Sequence, residues 1–291
     1  MTALATAKAA DQLMYETIQV RRIAGALGAE ISGVDLARDL SDRTVADIRR
    51  ALLDHLVIFF RDQDLTPARF IEFARRFGKP VEYPFVTGIE GYPEIIPVMK
   101  LENETVNFGG IWHSDTIYLD EPPMGTMLVA REVPPAGGDT MFANMYLAYE
   151  TLSPGLRKLL DGLVAVNSSA KADVTKTRED RVRSSPTEHS RKEFISEHPV
   201  VRTHPETGRK ALFVNFAHTV RFKDMTEEES APLLTYLYQH QVRPEFTCRF
   251  NWKPGSIAFW DNRATQHNPI NDYHGYRRLM HRITLAGDRP R

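Results

Sequence analysis

The sequence predicts a mainly β protein with flanking helices (α+β), built as a sandwich or jelly roll rather than a doubly wound sheet. Three observations carry this. Short β-prone runs at 94–99, 125–131, 162–168, 200–203, 211–216, 246–252, 256–260 and 279–286 are punctuated by Gly and Pro. Among them, helical periodicity is expected only near 145–160 and 226–242. The 291 residues, 42% of them hydrophobic, supply a sizeable core and show no internal repeat.

Taken in order, residues 1–14 read as a loose lead-in and 15–291 as a single domain. Ile18 to Leu36 carries short β-prone pieces broken by Gly25, Gly28 and Gly33. Ser41 stands at an N-cap position ahead of Val45, Ile48, Leu52 and Leu53, which are spaced for an amphipathic helix. Val57-Ile58-Phe59-Phe60 is a short apolar strand. Thr66 to Phe77 repeats the helical pattern with Phe70, Phe73 and Phe77 on one side, and Gly78 ends it. Ser153-Pro154-Gly155 predicts a break or a fresh start inside the 145–160 helix. The stretch 169–199 is the most polar, and fits either a disordered linker or a mobile lid over a site.

Composition narrows the function classes. With 37 basic against 38 acidic residues and no charge runs, the chain lacks the clustered cations of a nucleic-acid or anionic-membrane binder. The partner expected is a small molecule. A single cysteine, Cys248, excludes a disulfide framework and a Cys-rich metal site, and reads as a small apolar residue in a strand. Met1 to Asp11 lacks the apolar core of a signal peptide, and no run approaches the roughly 20 apolar residues of a membrane span. A soluble, cytoplasmic protein is expected.

Chemistry concentrates in Trp112-His113-Ser114-Asp115. In a strand, residues two apart share a face, so His113 and Asp115 can converge on one ion. With a second, distant histidine they form a facial triad that leaves positions open for co-substrate and O₂. The motif alone is weak, because with 10 histidines a His-x-Asp/Glu arises readily by chance. The alternative reading of His113 is a core histidine satisfied by Asp115. His204-Pro205-Glu206 is such a competitor, and it reads as a solvated hairpin turn. The C-terminal third strengthens the metal reading. Phe259 to His267 is an apolar strand ending in a polar run and a histidine, followed by Arg278 and Arg282 on one face of a further strand. Inward guanidiniums beside a metal ligand suit carboxylate recognition, the alternative being structural salt bridges.

The residues resemble the TauD/TfdA family of iron(II)- and 2-oxoglutarate-dependent dioxygenases over nearly the whole chain. The matching blocks are Gly28 to Leu36, Trp112 to Asp115, Val133 to Thr140, Trp260 to Arg263, His267 with Arg278 and Arg282, and the tail from Gly287. The resemblance implies a double-stranded β-helix (jelly roll) core and a homo-oligomer, dimer or tetramer. It implies Fe(II) held by His113, Asp115 and His267, 2-oxoglutarate held by Thr140 and Arg278, and O₂ as oxidant. The implied reaction hydroxylates a small organic acid and yields succinate and CO₂. Arg282 and Tyr83 match positions that contact the substrate anion.

Three departures fall in the expected pocket. No histidine stands in Lys79-Pro80-Val81-Glu82 before Tyr83, Gly109 replaces an asparagine, and His218 replaces a phenylalanine. Taurine therefore does not follow, but an acidic substrate does. Gly109-Gly110 is expected to open space beside the iron, with Trp112, Phe85, Phe213 and Phe216 as pocket or core residues. Sulfonates, alkyl sulfates and, from the likeness of Ile89 to Glu94 to an aryloxyalkanoate branch, aryloxyalkanoates are the substrate classes implied. A non-catalytic jelly-roll module binding an anion or a partner is the main alternative. A zinc hydrolase is disfavoured, because no general base stands beside the metal.

Overall fold

Alternation along each strand decides the architecture. In the computed structural model, which describes residues 15–172 and 193–291, strands are numbered in chain order. The main sheet runs β1 (Gln19–Arg22), β2 (Ala29–Ser32), β3 (Val57–Phe60), β14 (Ile257–Asp261), β6 (Gly125–Glu132), β16 (Arg278–Leu285) and β4 (Pro80–Val81), with β5 (Ile96–Lys100) also pairing with β16. Only the β2–β3 pair is parallel among these. A smaller sheet orders β13 (Thr247–Phe250), β7 (Thr140–Asn144) and β15 (Thr265–Pro269). Another orders β12 (Thr219–Phe222), β8 (Val164–Ser168) and β9 (Ile195–Pro199), and β10 (Val201–Thr203) pairs with β11 (Lys210–Leu212).

Successive side chains on the central strands go to opposite faces. Ile58, Phe60, Met127, Val129, Ile257, Phe259 and Ile283 meet helices α1 (Asp42–His55) and α2 (Pro67–Arg75) through Ile48, Leu52, Phe70 and Phe73. Val57, Phe59, Leu128, Ala130, Ala258, Trp260 and Met280 face the other way, toward Phe142, Ala143 and Phe250 of the smaller sheet. There Phe59 stacks on Phe250 with centroids 3.9 Å apart. Each of the larger of these side chains (Val, Leu, Ile, Met and Phe), fully buried, stabilises by about 1.5–3 kcal/mol. On β16, Arg278 and Arg282 share Met280's side, so both are carried into the space between the two sheets.

The protein is mostly β with some helices, and the helix signals hold. Ser41 and Thr66 accept hydrogen bonds from Thr44 N and Arg69 N as caps of α1 and α2. α2 ends at Arg75, before Phe77, although Gly78 N still reaches Ala74 O at 3.3 Å. The 145–160 helix divides into α3 (Met145–Glu150) and α4 (Pro154–Leu160), and Ser153 caps the second. α5 (Glu227–Gln241) matches the last helix. Cys248 is buried on β13. The run 211–216 is strand only to Leu212. Within the polar stretch 169–199, Ile195–Pro199 is strand β9, while 173–192, like the lead-in 1–14, lies outside the described residues. No helix among the described residues is long and apolar enough to cross a membrane.

Asp47 on α1 fastens the start of the described chain. Its carboxylate accepts from Glu16 N, Thr17 N and Thr17 Oγ1, each at 2.9 Å, and from Arg50 at 3.0 Å. Burial pushes its pKa up, but the Thr17, Arg50 and Glu16 hydrogen bonds outweigh this and hold it at about 2. A folded pKa below the ordinary 3.8 contributes stability above that value and loses it as pH falls through about 2. Asp47→Ala should therefore lower the unfolding free energy by about 2 kcal/mol at pH 7 and by roughly half that near pH 3. Urea titrations at both pH values check this, and an equal loss at each would show that the ionised carboxylate is not responsible.

Candidate metal centre and anion pocket

His113 and His267 meet across a single antiparallel bridge. His113 N donates to His267 O at 3.1 Å, and His267 N returns to His113 O at 2.8 Å. This pairing sets the two imidazoles side by side, with centroids 4.1 Å apart. Asp115 Oδ1 lies 3.8 Å from His113 Nε2 and 3.9 Å from His267 Nε2. One donor atom from each of the three buried residues falls within 4.8 Å of the others. The expected strand through 113–115 is absent. Residue 113 forms an isolated bridge, and the chain then turns through Thr116 at φ +43°, so a loop rather than strand periodicity aims Asp115.

A chain of hydrogen bonds fixes that aim. Thr126 Oγ1 on β6 donates to Asp115 Oδ2 at 2.7 Å, and Asn262 Nδ2 donates to Thr126 at 2.9 Å. Asn262 Oδ1 accepts from Trp260 Nε1 at 3.0 Å and from Asp115 N at 3.3 Å. Ser114 Oγ donates to Thr265 O at 2.7 Å, locking the ligand loop onto β15. The Trp260-to-Arg263 block, noted in the sequence only as a match, thus supports the carboxylate.

Protonation suits a cation. Burial lowers the pKa of both His113 and His267, so the imidazoles are neutral. His113 Nδ1 lies 2.7 Å from Ile111 O, which places the ring proton there and leaves the Nε2 lone pair facing Asp115 and His267. Burial pushes the Asp115 carboxyl up, but Arg282, His267, His113 and the Thr126 hydrogen bond together hold it well below the usual carboxylate range. Two neutral nitrogens and one anionic oxygen, gathered on one side of a point, fit a divalent non-haem iron with open positions.

Beside this centre, a small cavity lies between Thr140, Arg278, Arg282 and the two histidines. Arg278 is 5% exposed, and its Nε and Nη2 have no hydrogen-bond partner among the described residues. Burial lowers its pKa from the ordinary value, and an unpaired buried guanidinium calls for an anion. Thr140 Oγ1 accepts from Trp252 Nε1 at 3.0 Å, which leaves its own O–H to donate. Gly138, at φ +68°, allows this approach, since a Cβ there would stand 3.4 Å from Arg278 Cδ and 3.3 Å from Tyr273. The pair fits the far carboxylate of a dicarboxylic co-substrate.

A larger cavity of about 240 Å³ opens on the other side of the centre. Tyr83, Gly109, His218 and Arg282 all line it, together with His113 and Asp115. Arg282 Nη2 lies 3.1 Å from Asp115 Oδ1, and its guanidinium sits over the Tyr83 ring at 5.2 Å. Burial pushes the His218 pKa down to about 3, so this ring is a neutral wall. Gly109 does not simply open space. It takes φ +68°, and a Cβ would come 2.9 Å from His113 Cε1, so glycine lets the loop close against a ligand ring.

Other expectations need correction. Trp112, Phe85, Phe213 and Phe216 do not line this cavity, whose apolar wall comes instead from Val106, Phe108, Ile111 and Ala217. Phe85 and Phe213 are core, one of the two roles expected of them, while Phe216 is exposed and takes neither. His204-Pro205-Glu206 is a turn between β10 and β11, with Pro205 and Glu206 exposed as expected but His204 buried. His204 is 1% exposed, accepts two backbone N–H groups at Nδ1, and pairs with Asp261 Oδ2 at 3.0 Å. Glu206 pairs with Arg263 and Arg49, each at 2.8 Å. Sequence reasoning missed Thr126 and Asn262, neither of which carried a signal of its own.

Comparison with known proteins agrees with this geometry. The family model described as "Taurine catabolism dioxygenase TauD, TfdA family" matches residues 19–284. The chain is 39% identical to an alpha-ketoglutarate-dependent sulfate ester dioxygenase of Pseudomonas putida, over 99% of this chain and 94% of that one. It is 38% identical to an alkylsulfatase of Acinetobacter baylyi, over 94% and 86% respectively. A crystal structure of a putative alpha-ketoglutarate-dependent taurine dioxygenase from Burkholderia xenovorans superposes with TM-score 0.81 at 38% identity, covering 94% of each chain.

Proposed function

The chain belongs to the TauD/TfdA family of dioxygenases, and from that premise we propose that it oxidises small alkyl sulfate esters at the carbon bearing the sulfate group. It is an oxidoreductase that depends on Fe(II), 2-oxoglutarate and O₂. The observation that carries the substrate reading is Arg282, a buried guanidinium on the wall shared by the triad and the larger cavity. An anionic head placed there holds the adjoining carbon beside the metal centre. Sulfonates offer the same head, and aryloxyalkanoates offer a carboxylate in its place.

Each side chain has a defined task in this reading. His113, Asp115 and His267 hold the iron, and Thr126 keeps Asp115 turned toward it. Thr140 and Arg278 take the far carboxylate of 2-oxoglutarate in the small cavity. Arg282 and Tyr83 receive the sulfate head, with Gly109 and neutral His218 forming the adjacent walls. Iron with 2-oxoglutarate and O₂ supplies the oxidising chemistry. Burial of the triad keeps bulk water away, and fixed donors place the C–H bond. One oxygen atom enters the C–H bond as hydroxyl, and the other enters succinate as CO₂ leaves. The hydroxylated carbon then loses its C–O–sulfate bond and its hydroxyl proton, giving an aldehyde and hydrogen sulfate.

Residues 15–291 form a single jelly-roll domain in this reading, in a cytoplasmic homo-oligomer without nucleic-acid or membrane partners. The test is succinate release driven by pentyl sulfate, matched one for one by aldehyde and sulfate. Succinate driven by phenoxyacetate but not by pentyl sulfate would move the substrate to aryloxyalkanoates. A folded, iron-loaded chain that forms no succinate with any acid would return the protein to the non-catalytic reading.

A further inference from the structure

Among the polar groups lining the larger cavity that nothing above employs is a buried phenol. Tyr118 is 1% exposed, lines the cavity with Arg282 and Tyr83, and its hydroxyl faces the Tyr83 phenol without a hydrogen bond of good geometry to any described residue. The ring is clamped edge-on by Phe85 at 6.0 Å and by His218 at 4.9 Å, and lies tilted against Phe194 at 6.3 Å. It therefore cannot swing to find a partner elsewhere. Burial raises its pKa well above the ordinary value, with the facing Tyr83 phenol adding to the effect, so the hydroxyl keeps its proton and remains a donor. A buried hydroxyl left without a well-placed acceptor is unfavourable, and a ligand oxygen in the cavity satisfies it.

We propose that Tyr118 is a substrate-binding residue that donates its hydroxyl hydrogen to the anionic head held by Arg282, and that it favours a tetrahedral sulfur oxoanion over a carboxylate. This rests on the substrate reading above. The argument is one of donor count and direction. Arg282 Nε donates to Thr284 Oγ1 at 3.3 Å and Nη2 faces Asp115 Oδ1 at 3.1 Å, so the donors its planar fork offers a ligand are on Nη1 and the outward side of Nη2. That fork alone satisfies the two coplanar oxygens of a carboxylate. A sulfate ester or sulfonate presents three terminal oxygens that do not lie in one plane, and at least one points away from the fork. The Tyr118 hydroxyl approaches from a separate wall, built by the loop just after Asp115, and supplies a donor in a second direction.

The test compares wild type with Tyr118→Phe, a change that removes one oxygen and keeps the clamped ring. The iron- and 2-oxoglutarate-loaded protein is titrated anaerobically with pentyl sulfate and with phenoxyacetate, following the perturbation of its visible charge-transfer band. Steady-state KM and kcat are measured alongside. The dissociation constant for pentyl sulfate should rise about tenfold or more, with KM following and kcat changing much less. Phenoxyacetate and 2-oxoglutarate should bind as before, which also reports that the fold is intact. An unchanged constant for pentyl sulfate overturns the inference alone. So does an equal weakening of pentyl sulfate, phenoxyacetate and 2-oxoglutarate, the signature of a structural role. A wild-type protein whose band ignores every organic sulfate overturns the substrate reading and this inference with it.

Discussion

His267→Ala should lose the anaerobic iron–2-oxoglutarate charge-transfer band and reduce succinate formation to background, while the circular dichroism spectrum stays that of the wild type. The imidazole supplies one of the three donors that, among the described residues, gather within 4.8 Å, and the two that remain cannot define a facial site. The backbone of residue 267 keeps both hydrogen bonds to His113, so the strand geometry survives the change. Thr126→Val gives the graded counterpart. It keeps all three donors but removes the 2.7 Å hydrogen bond that turns Asp115, and outer contacts of this kind typically change metal affinity by about 10- to 100-fold. Iron titrations of the two variants separate a lost ligand from a loosened one. A His267→Ala protein that still develops the band would remove this histidine from the metal site.

Arg278→Met should weaken 2-oxoglutarate binding by about 2–5 kcal/mol, roughly 30-fold or more, because the buried co-substrate carboxylate loses its charged partner. The same change should leave the thermal stability of the protein without co-substrate unchanged or slightly raised. Without 2-oxoglutarate, Arg278 is a buried cation with two unpaired nitrogens, and an apolar side chain of similar length is no worse there. The two measurements therefore move in different directions. Calorimetric titration with 2-oxoglutarate and a thermal melt of the apo protein suffice. A fall in apo stability as large as the fall in affinity would mean that Arg278 serves the fold rather than the ligand.

The parts of the protein legible in sequence were those in which one physical signal acts locally. Ser41 and Thr66 announce helices because a short hydroxyl satisfies an orphan N–H next to an apolar stripe. Val57 to Phe60 announces a strand buried on both faces because each of the four residues is apolar. Strand β15 gave no such signal. Thr265-Gln266-His267-Asn268-Pro269 is polar throughout, and it is a strand because β7 pairs with it and Met145 and Val214 satisfy Gln266. His204 was misread for a related reason. Its turn was evident from neighbouring residues, but its burial depends on Asp261, which only the folded chain brings near. At the site, the charged and ligating residues could be named in advance, since few other roles justify burying them. Thr126 and Asn262 could not, because a threonine in an apolar strand looks like any other. Gly109 was noticed for the right position and the wrong reason, as the volume it frees belongs to His113.

The bridge between His113 and His267 has a further consequence. Two main-chain hydrogen bonds bring the ligand loop and β15 together as part of the completed fold. The ion is therefore a guest of a finished host, and a chelator should extract it, and another metal replace it, without a cycle of denaturation. A host prepared in this way has little means of rejecting the wrong guest. For nitrogen and oxygen donors, copper and zinc bind more tightly than iron(II), and no rearrangement on entry is left to penalise them. Which metal occupies the site then depends on what the surroundings offer, so the enzyme's activity is bound to the traffic of iron around it.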